Sequence, residues 1–376
     1  MKNRTSLKEI AKLFFKLGII GFGGPAAHIA MMREEVVVKR KWFNEQHFLD
    51  LIGATSLIPG PNSTELAIHI GHEKAGWKGL ITAGLCFILP AVFLTGIFAF
   101  LYKQYGQLPE VQPFVYGIKP AIIAIILGAI FPLAKKSFKT TELVWLGILV
   151  LVGALLFQIN EIYLMFGAGF LALLMTYLRQ NKNGLNSFLP ISFWTLTHTI
   201  TLSETSVKLF WIFLKIGAIL YGSGYVLFAF LDTELVEAGL LTREQLMDSI
   251  AVGQFTPGPV FSSVTFIGYQ INGFSGAVIS TIAIFLPSFV FVTLLNPLVK
   301  KMRNSNLFSA FLDAVNVASV VIIIAVCFEM GKDSITDWRA MLIAGLSIII
   351  AFGYRKLNSA FVVLGGSLLG FLLTLI

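Results

Sequence analysis

Apolar runs of about twenty residues, the length of a membrane-crossing helix, recur from one end of this sequence to the other. A window of about 19 residues finds about twelve of them. Six lie near residues 11–31, 47–70, 76–102, 113–134, 143–158 and 161–178, and six near 209–231, 246–270, 274–298, 308–328, 340–353 and 359–376. Composition closes off the soluble alternatives. The chain is 56% hydrophobic and 13% charged, about half the charge of an ordinary soluble domain. That excludes a soluble enzyme, a nucleic-acid module and a disordered protein, despite a net charge of +8. The fold class is an all-α polytopic membrane protein, with the lipid bilayer as its first partner. Abundant Gly and Phe (34 each) fit close helix packing and lipid-facing bulk. Cys86 and Cys327 each sit inside an apolar run and read as packing residues, not as a disulfide or metal pair. The basic N-terminus leads into an apolar stretch broken by glycines, with no small-residue cleavage site, so a removed signal peptide is not expected.

The two sets of six are copies. Lys16-Leu17-Gly18 matches Lys215-Ile216-Gly217, and Phe22-Gly23-Gly24 matches Tyr221-Gly222-Ser223, at an offset of 199. Pro59-Gly60-Pro61 matches Pro257-Gly258-Pro259 at 198; Leu89-Pro90 matches Leu286-Pro287, and Lys119 falls opposite Asn316, at 197. A slowly drifting offset is the mark of duplication with small deletions. Residues 1–178 form the first repeat, 179–207 a polar linker, and 208–376 the second repeat.

Charge sets the orientation of the copies. The loops holding Arg33, Lys39, Arg40 and Lys41, and Lys135, Lys136 and Lys139, are basic-rich, whereas their counterparts are dominated by Asp232, Glu234, Glu237 and Glu244, and by Glu329, Asp333 and Asp337. The remaining loops reverse the bias. Under the positive-inside rule the repeats have inverted topology, the plan of many secondary transporters. Inversion needs an odd number of crossings per copy. With six segments in each, the Pro-Gly-Pro segment is expected to be re-entrant, giving about ten crossings. This count puts the basic N-terminus outside; either the first helix lies partly in the interface or the symmetry breaks there.

Two stretches carry the chemistry: Gly21 to His28, and Leu57 to Glu65. Glycine pairs and prolines inside an apolar span free backbone groups that lipid cannot satisfy, so such breaks belong where protein or a water-filled cavity receives them. In each, the last proline suits the start of a new helix. Helices beginning at Pro25 and Pro61 would present free N–H groups and the positive dipole end, an anion site. The candidate substrate-binding residues are Gly23, Gly24, Pro25, Pro59, Gly60, Pro61, Asn62, Ser63 and Thr64, with Gly222, Ser223, Pro257, Gly258 and Pro259 in the second copy. Kinks for tight packing are the competing explanation, weakened by two breaks at matching places in both copies.

On a helix starting at Pro61, Asn62, Glu65 and His69 share one face. A carboxyl and an imidazole are costly in an apolar span unless used. Glu65, with His28 or His69 as relay, is the candidate for proton coupling; a structural Glu–His pair is the alternative. The second copy has Val260, Ser263 and Thr265 here, so proton chemistry is expected to be asymmetric. Lys119, in an otherwise apolar run, is an electrostatic partner for an anion if deep and a snorkelling residue if near the surface. Gly366 and Gly370 form a GxxxG pair that suits a helix contact, within the chain or between the protomers of a homodimer. Asn62-Ser63-Thr64 fits a glycosylation sequon but lies inside a broken membrane segment. No metal spacing, P-loop or dinucleotide fingerprint is present, so no cofactor is expected.

Phe-Gly-Gly-Pro-Ala-Ala-His-Ile-Ala-Met-Met (22–32), Leu-Ile-Pro-Gly-Pro-Asn-Ser-Thr-Glu (57–65), Cys-Phe-Ile-Leu-Pro-Ala (86–91) and Phe-Thr-Pro-Gly-Pro-Val (255–260) resemble the chromate ion transporter family in its two-domain, long form. The resemblance covers nearly the whole chain. It implies a plasma-membrane carrier that exports chromate on the proton motive force, with protons as the second partner and no enzyme activity. The family's motif positions fall on Gly23, Gly24, Pro25, His28, Pro59, Gly60, Pro61, Asn62 and Glu65. Ser223 and Gly224 stand where the first copy has Gly24 and Pro25, against equal roles for the halves. A carrier of another anion, such as sulfate, with chromate as a mimic, stays open. An intramembrane enzyme or a lipid scaffold lacks a nucleophile–base pair or metal constellation in this sequence.

Overall fold

The computed structural model describes residues 5–22, 24–106, 108–180, 204–221, 224–295, 305–354 and 358–375. Most of the linker, with Gly23, Gly222 and Ser223, lies outside the described residues.

The helices of the first half are α1 (Leu7–Ile20), α2 (Gly24–Arg33), α3 (Glu45–Thr55), α4 (Asn62–Tyr105), α5 (Gln112–Ser137), α6 (Thr141–Leu155) and α7 (Glu161–Gln180). Those of the second are α8 (Glu204–Ile219), α9 (Val226–Leu231), α10 (Arg243–Phe255), α11 (Ser263–Leu295), α12 (Asn306–Ser334), α13 (Trp338–Gly353) and α14 (Ser359–Thr374). The halves repeat each other down to local detail. Asn44 caps α3 and Thr242 caps α10, 198 residues on; Thr140 caps α6 and Asp337 caps α13, 197 on. Each cap side chain accepts a backbone N–H that the first turn leaves without a partner. A π-helical turn follows α2 at Glu34–Lys39 and α9 at Asp232–Val236.

α4 and α11 each turn back on themselves. Ala75 and Gly76 have φ/ψ of −141°/22° and 60°/−145°, and Asn272 and Gly273 have −139°/32° and 58°/−149°. The positive φ is the reason for glycine at the second position of each turn. Gly71 meets Gly79, and Gly268 meets Gly276, so closely that none of the four has room for a Cβ.

The residues before α3 sit against the end of the first arm of α4. Lys74 Nζ donates to Trp42 O at 2.7 Å and covers the Phe43 ring at 4.6 Å, while His47 lies 3.9 Å from Glu73. α3, the Pro-Gly-Pro break and residues 62–74 therefore form a hairpin with both ends together, as expected of a re-entrant segment. α1 and α2 fold back in the same way. Glu35, after α2, binds Lys16 at 3.0 Å, and Arg40 reaches Glu9 at 3.8 Å. The first broken segment is thus a second hairpin, which leaves the start of α1 beside the basic 33–41 stretch.

Among the described residues, five helical stretches are long and apolar enough to cross a membrane: 62–105, 112–137, 161–179, 260–294 and 306–334. Three shorter apolar helices, α6, α13 and α14, accompany them. The α1 segment, one arm of a hairpin, is not among them. Large side chains point outward along this belt, among them Phe93, Trp145 and Ile349.

The halves are interleaved. α5 packs on α13 and α14 of the second half, and α12 packs on α6 and α7 of the first. Such reciprocal exchange is the signature of a two-fold relation. α5 and α12 run antiparallel: Lys139 pairs with Asp313 at 2.7 Å at one end, and Tyr116 bonds Asp337 at the other. Gly366 and Gly370 pack on Gly117 of α5, so the GxxxG face serves a contact inside the chain.

Candidate functional site

The four helix breaks meet in one place. Gly60 N–H donates to Leu220 O at 2.8 Å, and Gly258 N–H donates to Gly21 O at 2.7 Å. Gly60 corresponds to Gly258, and Gly21 to Leu220, so these bonds are one contact made twice. Each Pro-Gly-Pro glycine ties its hairpin to the first break of the other half. Gly60 has φ +134° and Gly258 has φ +95°. A Cβ on Gly60 would run into the Glu65 carboxyl and stand 2.8 Å from Ser288 Oγ. The N–H groups of both glycines are thereby hydrogen-bonded inside the protein.

Helix α4 begins at Asn62, with Pro61 as its extended N-cap, one residue later than the sequence suggests. Pro259 precedes a short 3-10 turn at Val260–Ser262 in the same way, and α2 begins at Gly24 with Pro25 in its first turn. Thr64 N and Glu65 N bond back to Pro61 O, at 2.7 and 3.2 Å. The N–H groups of Asn62 and Ser63 precede any intrahelical partner and form the positive end of the helix.

Around this end lies a buried polar cluster. His28 Nε2 is 2.8 Å from Gly21 O and its Nδ1 is 3.2 Å from Ser63 Oγ. A carbonyl only accepts, so Nε2 carries the proton, and in the neutral ring Nδ1 accepts from the Ser63 hydroxyl. Phe87 meets the imidazole edge-on at 5.4 Å. Glu65 is fully buried, with Ser288 Oγ donating to Oε1 at 3.5 Å and no protein partner for Oε2 among the described residues. His69 follows one turn later, buried, with neither ring nitrogen bonded among the described residues, and Thr64 Oγ1 is likewise unpartnered. Buried polar atoms are rarely left so in a packed interior. Their concentration here makes this cluster the candidate site.

A cavity of about 360 Å³ leads to the helix end from one side. Asn62, Ser56, Lys136, Lys139, Asn316 and Ser319 are among the residues lining it. Lys139 is held by Asp313 at 2.7 Å, whereas Lys136 has no ion-pair partner among the described residues. Ser319 donates to Tyr221 O at 3.2 Å, joining the cavity wall to the first break of the second half.

Lys119 is not in this cluster. It forms an ion pair with Glu244 on the opposite side of the molecule, and its side chain is 17% exposed. Sequence reasoning overlooked Lys136, Ser319 and Ser288 as site residues. Ser288 follows Pro287, already matched to Pro90, and so stands opposite Ala91. Asn316 was signalled only as the partner of Lys119 in the repeat.

Paired broken hairpins, buried unpartnered polar atoms at a helix N-terminus and a basic cavity leading to them define a multi-pass α-helical membrane carrier. The chain belongs to the chromate transporter family, which matches it over residues 8–173 and 207–371. A probable chromate transport protein of Synechococcus elongatus is 31% identical over 93% of this chain and 91% of its own length. A chromate transport protein of Cupriavidus metallidurans is 31% identical over 97% and 92%, and one of Pseudomonas aeruginosa 28% over 98% and 92%. No solved structure matches the chain.

Proposed function

We propose that this protein exports chromate, or a tetrahedral oxyanion of the same charge, across the plasma membrane under the proton motive force. The observation that carries the reading is the cavity joining Lys136 to Asn62, at the start of the helix whose first turn carries the buried, half-satisfied carboxyl of Glu65. Lys136 attracts the dianion, and the hydroxyl and amide groups of Ser56, Asn62, Asn316 and Ser319 replace part of its water. The α4 helix end then faces its charge. The antiparallel run of α5 and α12 supports inverted repeats, with the Arg33–Lys41 and Lys135–Lys139 regions on the cytoplasmic side under the positive-inside rule. The cavity therefore opens to the cytoplasm, where an exported anion must enter. The N-terminus falls on the same side, which removes the conflict that ten crossings created.

In this reading Glu65 carries the coupled proton. The proton and the dianion occupy the site in alternation: the anion leaves with Glu65 ionised, and the emptied carrier returns with Glu65 protonated, so the proton moves inward as the anion moves outward. His28 and His69 flank it as relays. The energetics favour export: an inside-negative potential drives each charge outward by about 2.3 kcal/mol per 100 mV, or about 4.6 kcal/mol for a dianion. A sulfate carrier remains the second reading, because hydroxyls, amides and lysines read charge and tetrahedral shape and not the central atom. Uptake of chromate into inverted vesicles, with sulfate as competitor and an uncoupler added, tests both. Chromate accumulation that the uncoupler abolishes supports the first reading. Accumulation of sulfate alone selects the second, and accumulation of neither refutes both.

A further inference from the structure

The two-fold relation carries the residues of the cavity wall to counterparts on the other side of the molecule, and there five polar counterparts are tied off. Asn316 corresponds to Lys119, paired with Glu244. Asp313 corresponds to Tyr116, whose hydroxyl bonds Asp337. Lys136 corresponds to Asp333, held by Arg243 at 2.8 Å, and Arg243 also grips Asp232. Ser309 corresponds to Gln112, which donates to Gly106 O at 2.8 Å, and Ser137 to Ser334, bonded to Met247 Sδ. Tyr102 closes the same region from α4, with its hydroxyl on Asp248 at 2.5 Å and its ring on Phe266 at 5.1 Å. One architecture is therefore open at one end and closed at the other.

Two copies of the same fold in different states show both ends of a motion. We propose that a second, equivalent cavity opens on the acidic face, that Lys119 lies in its wall as the ligand of the departing tetrahedral dianion, and that the Glu244 carboxylate masks Lys119 and latches this face shut in the present state. The ion pair is the internal substitute: a carboxylate holds the lysine until an oxyanion takes its place. This rests on the carrier reading above and adds to it a gate and an exit site.

The test uses single cysteines in the full chain with Cys86 and Cys327 replaced by serine. Ile122→Cys reports the acidic face, where Ile122 is fully buried, and Asn316→Cys reports the open cavity, whose wall Asn316 lines with a half-buried side chain. An impermeant maleimide is applied from each side of oriented vesicles. In the parent background Asn316→Cys labels and Ile122→Cys does not. Glu244→Gln should raise Ile122→Cys labelling about fivefold, the upper effect of losing one solvent-facing ion pair, and lower labelling of Asn316→Cys. Exchanging the charges (Lys119→Glu with Glu244→Lys) should restore the parent pattern, which a misfolded protein would not do. Sulfate should then slow labelling of Ile122→Cys in the Glu244→Gln protein, and Lys119→Gln should remove that protection. Labelling that is unchanged, that rises at both cysteines, or that the charge exchange does not restore overturns the latch. Sulfate protection that is absent or indifferent to Lys119 overturns the exit site. The latch arm needs no anion, so it is read even if the vesicles fail to accumulate chromate.

Discussion

Replacing Gly258 by alanine probes the contact that holds the halves together. At φ +95° an L-residue is strained, at a cost of about 1–3 kcal/mol. The added Cβ would also stand 2.8 Å from Ala91 Cβ, in a helix that cannot move away freely; crowding of this kind costs a further 1–3 kcal/mol or so. The control is Gly76→Ala, with φ +60° but open space around it, which should cost only the backbone part, about 1–2 kcal/mol. Ala91→Gly removes the atom that Gly258→Ala would meet, at a cost of about 1 kcal/mol for glycine in a helix. In the double variant the clash is gone and the strain remains, so the cycle should show coupling of about 1–3 kcal/mol. Reversible denaturation of the four proteins in one detergent gives the measurement. Additivity within about 0.5 kcal/mol, or Gly258→Ala no worse than Gly76→Ala, would show that the close approach does not exist.

Glu65→Gln should leave the protein folded, since an amide fits beside Ser288, and make anion flux in vesicles insensitive to an imposed pH gradient; a retained pH dependence would move the coupling elsewhere. Lys136→Ala, which breaks no ion pair among the described residues, should raise the apparent KM for chromate about fivefold, the effect of roughly 1 kcal/mol of lost attraction, with maximal flux little changed. An equal loss in both would refute its role in capture. Burial acts to raise the pKa of Glu35, but hydrogen bonds from Lys16 and Arg40 and their charges outweigh it and hold the carboxyl at about 2. The depressed value means that this cluster stabilises the fold above about pH 4.5 and loses its effect as pH falls towards 2. Glu35→Gln should thus cost roughly 2 kcal/mol at neutral pH and progressively less in acid. Gly370→Leu should separate α14 from Gly117 and destabilise the protein by about 1–3 kcal/mol, read as a lower unfolding temperature with an unaltered oligomeric state.

The outline of the fold is readable in the sequence because the features that set it are local or repeated. Pro-Gly-Pro occurs twice, and a proline–glycine break in an apolar run has few structural meanings. The hairpin of α1 and α2 was harder to see. Its evidence is a long-range ion cluster, Glu9 and Lys16 with Glu35 and Arg40, and the pairing of charges 19 to 31 positions apart leaves no periodic signal. Lys119 shows the same limit from the other direction. Its presence in an apolar run is visible, but its partner Glu244 is 125 residues away, on a helix of the other half. The glycines of the breaks were legible as conformational devices. Their reciprocal hydrogen bonds depend on how two hairpins meet, which no single motif records.

The departure from symmetry says most about how the site works. Glu65 stands opposite Ser263 and His69 opposite Ile267, so the first half alone carries a buried acid and an imidazole, while the second half supplies the acid's hydroxyl donor, Ser288, where the first has Ala91. Two buried carboxylates facing each other across the two-fold would raise the cost of ionising either one. In the proposed export cycle, a single acid avoids that cost and supplies one proton site for both orientations of the carrier. Expulsion of a dianion already runs down the membrane potential, so a titrating carboxyl is not needed to supply the drive. Its physical value lies in the return step: a protonated Glu65 makes the emptied site neutral, and a neutral site crosses the field without working against it. Proton coupling on this plan should therefore speed the return of the empty carrier more than the outward passage of the loaded one. Trans-acceleration measurements in vesicles of opposite pH gradient separate those two half-cycles. An outward half-cycle that alone responds to pH would refute this division of labour.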